Sequence, residues 1–481
     1  MSATRGWLLG SAAVALVVAV CAWSAPASAA PPTNTEAAAA AKELRAAWEQ
    51  LETDLASARD ALDDPKRFPP PASDRTLAEG YRYLLGFTYG AIERALAEDP
   101  DFPYFRRALQ PLNKATIDNA DALYLSAAID GAGTYRVRGI ASPGWRAPRY
   151  VIFEAQSAYA GDSGDLAELR PGGRVTTGML DSTKIHFAAE GAFEILIAPE
   201  RPADYAGDYI ASKTVRQIAQ ADGTAQPVEF AAHYLSVREL FTDWENQAPL
   251  ELEIVRAGFE GAAKPPPDAA SMARRVRRAG ELVRNQMQFW NEFYARTLET
   301  YADVNADGKQ FMPINDLNPP NAAALATGGG QSTNLYAGGQ FELGADEALI
   351  IEEHIPVEPA YIGFHLANLW GESADYANAQ SSLNGQQAEW DADGVLRVVV
   401  AQRDPGVPNW LDTTGLPRGF MSLRWTYPEA PAQLPSVRVT KVRFSEVRTY
   451  LPPDTGSVTP AERREAIRVR QEHVQRRYRQ H

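Results

Sequence analysis

Thiol is the scarcest chemistry in this chain. Its 481 residues hold a single cysteine, Cys21. That cysteine lies in a segment that reads as an export signal. Arg5 is followed by an uncharged run, Trp7 to Ala22, and then by Ala27-Ser28-Ala29, the small-x-small pattern of signal-peptidase cleavage. The run falls short of the about 20 apolar residues that a bilayer span needs. Cleavage is expected after Ala29, because a cut after Ala30 would place Pro31 beside the scissile bond. The competing reading is an uncleaved anchor. A lipoprotein is disfavoured because Val20, ahead of Cys21, is too large for a lipobox. The expectation is an exported protein, periplasmic or extracellular, whose mature form has no thiol. Disulfides, zinc–thiolate sites and cysteine nucleophiles are then excluded, and the core alone must supply stability.

Histidine is scarce too, with six in the chain. His354 and His365 fall on different candidate strands, and no third ligand has fitting spacing, so no metal is expected. A Gly-x-Ser-x-Gly elbow is absent. Gly328-Gly329-Gly330 does not join a strand to a helix, so a nucleotide loop is not expected either. No cofactor is implied. Positive charge is in deficit: the net charge is −14, or −15 once Arg5 leaves with the signal, and the tail from Thr459 to His481, with seven Arg against three Glu, leaves the body near −19. A phosphate backbone would be repelled, which argues against nucleic acid. The tail carries a capping box, with Thr459 as N-cap, Pro460 as first helical residue and Glu462 as partner. It is expected to be a helix docked on the acidic body, and peripheral membrane contact through it is disfavoured.

What is present is mostly strand signal. After an Ala-rich stretch, Pro31 to Ala41, read as a linker, two helices are expected, Glu43 to Leu62 and Thr76 to Leu96. From Ala122 the pattern turns to short β-branched and aromatic runs: Tyr124 to Ile129, Tyr135 to Gly139, Tyr150 to Ala155, Lys184 to Phe187, Phe193 to Ile197 and Leu250 to Val255. Pro265 to Pro267 mark a boundary, followed by a long amphipathic helix, Asp268 to Tyr301. Asp303-Val304-Asn305-Ala306-Asp307-Gly308 resembles the start of a calcium loop, but Ile314 occupies the position that needs an acid. Six further strands are expected: Ala348 to Ile355, Ala360 to Trp370, Gln386 to Trp390, Val395 to Arg403, Phe420 to Tyr427 and Val437 to Phe444. The fold class is therefore α+β, mainly β: an N-terminal helical unit and two antiparallel β-sandwiches, the second jelly-roll-like. The boundaries are 1–29 signal, 30–110 linker and helical unit, 111–264 first sandwich, 265–332 long helix and loop, 333–455 second sandwich, and 456–481 basic helix.

Strand parity points to a candidate site. Leu396, Val398 and Val400 share a face that runs on to Gln402 and Asp404; Ile362, Phe364 and Leu366 run on to Asn368 and Trp370; Leu349 and Ile351 run on to Glu353. Polar groups at the end of a core face are either paired or open onto a cavity. The stretch Arg403-Asp404-Pro405-Gly406-Val407-Pro408-Asn409-Trp410-Leu411-Asp412 is held by two prolines and a glycine. Asp404 and Asp412 are the candidate acid–base pair, to be told apart by environments that split their pKa values. Gln402, Arg403, Asn409 and Trp410, with Asn368, Trp370 and Asn384, are the candidate ligand-binding set. The bland alternative is a structural loop with Asx turns and a buried tryptophan.

The stretches Tyr376 to Asn384 and Arg403 to Thr413 resemble a bacterial exported family known as domain of unknown function 1214. Asp118 to Tyr124 and Arg238 to Trp244 resemble its companion, domain of unknown function 1254. The resemblance implies a helical unit and two sandwiches, and implies no agreed activity. The function expected is binding of a small-molecule or glycan-type ligand, with acid–base chemistry in a carboxylate cleft of the second sandwich. The alternative is a structural or assembly module of the cell envelope.

Overall fold

The computed structural model describes residues 34–63, 73–170, 172–219, 223–299, 312–321 and 331–479. The segment expected to be an export signal and the calcium-like stretch at Asp303 lie outside the described residues. Helix α1 spans Asn34–Asp63 and α2 spans Asp74–Ala97. The part of the expected linker from 34 to 41 is thus the first turns of α1, consistent with alanine's helix propensity, the highest of any residue. Ser73 caps α2, accepting from the Thr76 amide at 3.1 Å.

The first sandwich has two sheets. One runs β1 (Arg106–Leu109), β2 (Ala122–Ala128), β10 (Tyr234–Leu240), β4 (Tyr150–Gln156), β5 (Thr176–Asp181); the other runs β11 (Leu250–Arg256), β3 (Tyr135–Ala141), β6 (Phe193–Ala198), β7 (Asp208–Ala211). A separate hairpin, β8 (Lys213–Ala219) with β9 (Ala225–Ala231), lies between β7 and β10 in the chain. The run Lys184 to Phe187 is no strand. Asp181 and Asp208 draw its amides into a turn, and Ile185 still reaches the core.

Helix α3 (Ala269–Glu299) leads to the second sandwich. Its sheets run β12 (Asn334–Glu342), β18 (Arg418–Thr426), β14 (Tyr361–Ala367), β15 (Ser382–Asn384), and β19 (Ser436–Arg443), β13 (Glu347–His354), β16 (Leu396–Ala401), β17 (Trp410–Asp412). The run Gln386 to Trp390 is a turn instead of a strand, because the Asn384 side chain accepts from the Gln386 and Gln387 amides. Helix α4 (Pro460–Arg479) closes the chain. The fold is α+β and mainly β, with a helical unit and two sandwiches, the second jelly-roll-like.

The two sandwiches repeat one topology. Strands β2, β3, β4, β5, β6, β7, β10 and β11 pair with one another as β12 to β19 do, in order. Each repeat ends one sheet with a parallel pair, β6 with β7 and β16 with β17, where only antiparallel neighbours were expected. The register agrees as well. Arg238 stands opposite Tyr124, and Arg424 stands opposite Tyr336. The sequence echoes this: Ser236-Val237-Arg238 against Ser422-Leu423-Arg424, Leu123-Tyr124 against Leu335-Tyr336, and Tyr150 with Phe153 against Tyr361 with Phe364.

Alternation then decides what faces what. Leu125, Phe153 and Val237 turn into the first core; Phe364, Met421 and Leu423 turn into the second. The opposite faces carry Tyr124, Ser126, Ser236 and Arg238 in one sheet, and Tyr336, His365, Ser422 and Arg424 in the other. These two polar faces meet each other instead of water. Leu240, Tyr150 and Tyr361 pack together at that junction.

Candidate functional site

The expected loop site resolves into internal braces. Asp404 accepts from the Gly406 amide at 2.8 Å, and Arg463 of α4 grips it through Nε at 3.0 Å and Nη2 at 3.2 Å. Asp412 accepts from the Thr414 amide at 2.7 Å. Burial raises its pKa, with the Asp404 charge adding to the shift. Arg463 occupies Asp404. Trp410 is buried with Val399, Val407 and Leu451, and its indole donates to the Ala401 carbonyl at 3.0 Å. It is core, not a stacking plate. Asn409 donates to the Glu389 and Arg397 carbonyls and accepts from the Glu389 amide; it does line a small cleft of about 80 Å³.

The remaining candidates are spent in the same way. Gln402 donates to the Leu343 carbonyl at 2.6 Å, and Arg403 donates to the Ala345 carbonyl and to Asp346. Asn368 accepts from the Trp370 and Glu372 amides, closing a turn. Trp370 donates to the Thr76 carbonyl and packs on Tyr83, fastening α2 to the second sandwich. Asn384 donates to Asp121 at 2.9 Å. The physical reason is common to all of them. Pro and Gly loops leave many backbone groups unpaired, and nearby polar side chains satisfy those groups first. Glu353 is fully buried, and burial pushes its pKa up to about 8.

A concavity larger than that cleft lies elsewhere. A cavity of about 320 Å³ sits between the outward faces of the repeats, under α2 and α3. Strand β10 contributes Tyr234, Ser236 and Arg238, and β18 contributes Ser422 and Arg424. The helices contribute Phe87, Trp290, Phe293 and Tyr294. Two glycines bring α2 close: a Cβ at Gly86 would lie 2.7 Å from the Leu112 carbonyl oxygen, and one at Gly90 would lie 2.8 Å from the Asn113 side chain. One end of the cavity is a stack, with the Arg94 guanidinium 3.5 Å from the Tyr159 ring and that ring 3.5 Å from Tyr234. Burial raises the pKa of Tyr124, while Arg424 and Arg238 oppose that shift, so both cations bear on one hydroxyl. Among the described residues no cluster of metal-binding side chains occurs.

Sequence reading missed this site for a definite reason. Its polar residues are the outward halves of regular strands, a position that ordinarily faces solvent. The signal that could have found it is the Ser-x-Arg echo at β10 and β18.

His365 lies opposite the core stripe of Phe364 and Leu366 and is fully buried, 3.3 Å from the Tyr361 hydroxyl, with its pKa driven well down by burial. Three of the four stretches that carry the family resemblance, 118–124, 238–244 and 376–384, meet here. Asp118 accepts from the Ser373 amide and hydroxyl, and Asp121 accepts from Tyr361, Asn384 and Trp244. Helix α4 seals the same junction: Arg477 donates to the Ala120 carbonyl at 2.6 Å, and His473 stacks on Trp244.

The chain is similar to a crystal structure of an uncharacterised protein from Burkholderia cenocepacia, with 26% identity and a TM-score of 0.68 over 84% of this chain and 99% of that one. A protein from Vibrio parahaemolyticus aligns over 80% of this chain and 100% of its own at 12% identity, and its TM-score of 0.38 carries no argument. No protein-family model matches the chain, and no curated protein matches it.

Proposed function

We propose that this is an exported protein that binds a small molecule in the cavity between its two sandwiches. The observation that supports the reading is the cavity itself. Two sheets bury Ser, Arg and Tyr side chains on their facing surfaces yet leave about 320 Å³ between them. That volume is at the lower end for small-molecule sites. Polar side chains in a buried space are costly unless something bonds them. Acid–base chemistry at Asp404 and Asp412 has little support, because Arg463 and backbone amides occupy them. The test is a thermal-shift screen of metabolites and small glycans on the purified protein and on Ser236→Leu, which puts an apolar side chain into the cavity. A ligand at 100 times its Kd adds about 2.7 kcal/mol. Hits lost in Ser236→Leu support the reading; hits that survive unchanged sink it.

An assembly role has one observation in its favour. Leu77, Tyr81, Leu85, Tyr89, Ile92 and Leu96 form an exposed apolar ridge along α2, with Leu85 at 70% exposure. Surfaces of that kind mark interaction sites. Sedimentation of the wild type against Leu85→Lys would show whether the ridge holds copies together.

A further inference from the structure

We propose that the ligand of this cavity is an organic carboxylate with an apolar body, its carboxylate held at Arg424 and its body against Phe87, Trp290 and Phe293. The proposal rests on the cavity-binding reading and adds the chemical class.

The first argument is charge. Among the described residues the cavity wall holds five arginines and one lysine, and no aspartate or glutamate, in a protein of net charge −14. Carboxylates do stand behind some of these cations. Asp162 and Glu98 hold Arg94, Glu93 lies 3.9 Å from Arg106, and Glu154 lies 3.6 Å from Arg238. For Arg424 and Arg174 the described residues provide no such partner. Arg174 leaves two buried guanidinium nitrogens without a hydrogen bond. An acidic chain that lines one concavity with cations and, among the described residues, with no carboxylate favours an anion there.

The second argument is geometry. Arg424 is only 7% exposed. Its guanidinium donates to the Ile117 carbonyl and, at 3.3 Å, to the Ser422 hydroxyl. Those bonds fix the plane of the fork and use two of its five N–H groups. What remains is a rigid, charged donor edge beside Tyr336, whose ring lies 5.8 Å from the guanidinium. A buried cation without a counter-charge is costly, and a planar carboxylate matches the fork in shape and in sign.

The third argument is the opposite wall. Phe87 from α2, and Trp290 and Phe293 from α3, present aromatic surface across from the strand arginines. Inorganic phosphate would leave that surface uncovered. A neutral apolar molecule would leave the guanidinium unmatched.

The test is calorimetric titration of the full chain with three probes: phenylacetate, phenylacetamide as its neutral isostere, and inorganic phosphate. Phenylacetate is expected to bind at least about tenfold more tightly than phenylacetamide, and phosphate is expected not to displace it. Arg424→Met should weaken phenylacetate at least about tenfold and leave phenylacetamide unchanged. The isostere comparison uses the unaltered protein, so it decides the matter even if Arg424→Met fails to fold. Equal binding of acid and amide overturns the carboxylate proposal. So does no response to phenylacetate at about 10 mM, or undiminished phenylacetate binding by a folded Arg424→Met. None of these three results touches the broader reading, which the metabolite screen with Ser236→Leu decides by itself.

Discussion

The Tyr361 hydroxyl of the second sandwich donates to Asp121 at 2.6 Å, and Asp121 stands just ahead of the first strand in the repeated set, β2. The mirror relationship exists too: Tyr150 of the first sandwich donates to Thr333, just ahead of β12, at 3.2 Å. Equivalent tyrosines thus reach across to equivalent positions, as in an isologous interface between two copies. The repeats are joined as a pseudo-dimer within one chain, and the cavity lies between them.

Tyr361→Phe removes one donor from a fully buried aspartate and should lower stability by about 1–3 kcal/mol. Tyr150→Phe, with a neutral partner at a longer distance, should cost about 1 kcal/mol or less. Denaturant unfolding of both variants checks the order. A larger loss for Tyr150→Phe would contradict the symmetric-junction account.

Glu239 and Glu353 are fully buried, and burial pushes the pKa of each up to about 8. Both lie near the usual carboxylate value in the unfolded chain, so the folded protein binds more protons between these limits. Their stabilising contribution is complete below about pH 4 and is lost as pH rises toward about 8, by up to about 1.4 kcal/mol per pH unit for each group. Glu353→Gln should flatten that decline. Unfolding free energies at a series of pH values give the slope, and an unchanged slope in the variant would exclude Glu353 as a source.

Asp404 ties its loop to α4 through Arg463. Asp404→Asn keeps the shape and weakens the tie. It should cost about 1 kcal/mol, a modest figure because the pair is partly exposed. Thermal melts measure this. Ligand binding in the central cavity should be unaffected, and loss of binding without loss of stability would restore the loop as a site.

A Cβ placed on Gly80 would lie 2.5 Å from the Trp370 ring. Gly80→Ala should therefore push α2 away from the second sandwich and destabilise by about 1–3 kcal/mol through overpacking. A red shift in tryptophan emission should accompany it. A variant as stable as wild type would mean that the helix adjusts freely.

How much was legible follows from the range of each interaction. Strand runs such as Leu396 to Ala401 and the capping box at Thr459 are local, so periodicity and capping chemistry placed β16 and α4 to within a few residues. The faces of the strands were legible as well: Leu396, Val398 and Val400 do point into the second core, and His365 does point away from it. The partners of the polar loop at Asp404 were not legible, because Arg463 is 59 residues away in the chain.

Sequence alone therefore determined the fold class, the strand faces and the existence of a basic C-terminal helix, since each depends on neighbours two to four residues apart. Tertiary structure decided which polar groups are spent and which are presented. Arg238 and Arg424 lie 186 positions apart in equivalent strands, and each by itself reads as a solvated strand residue. Only the face-to-face packing of the two repeats makes them walls of one enclosed space, because what lies across a sheet face is set by long-range packing and not by local pattern.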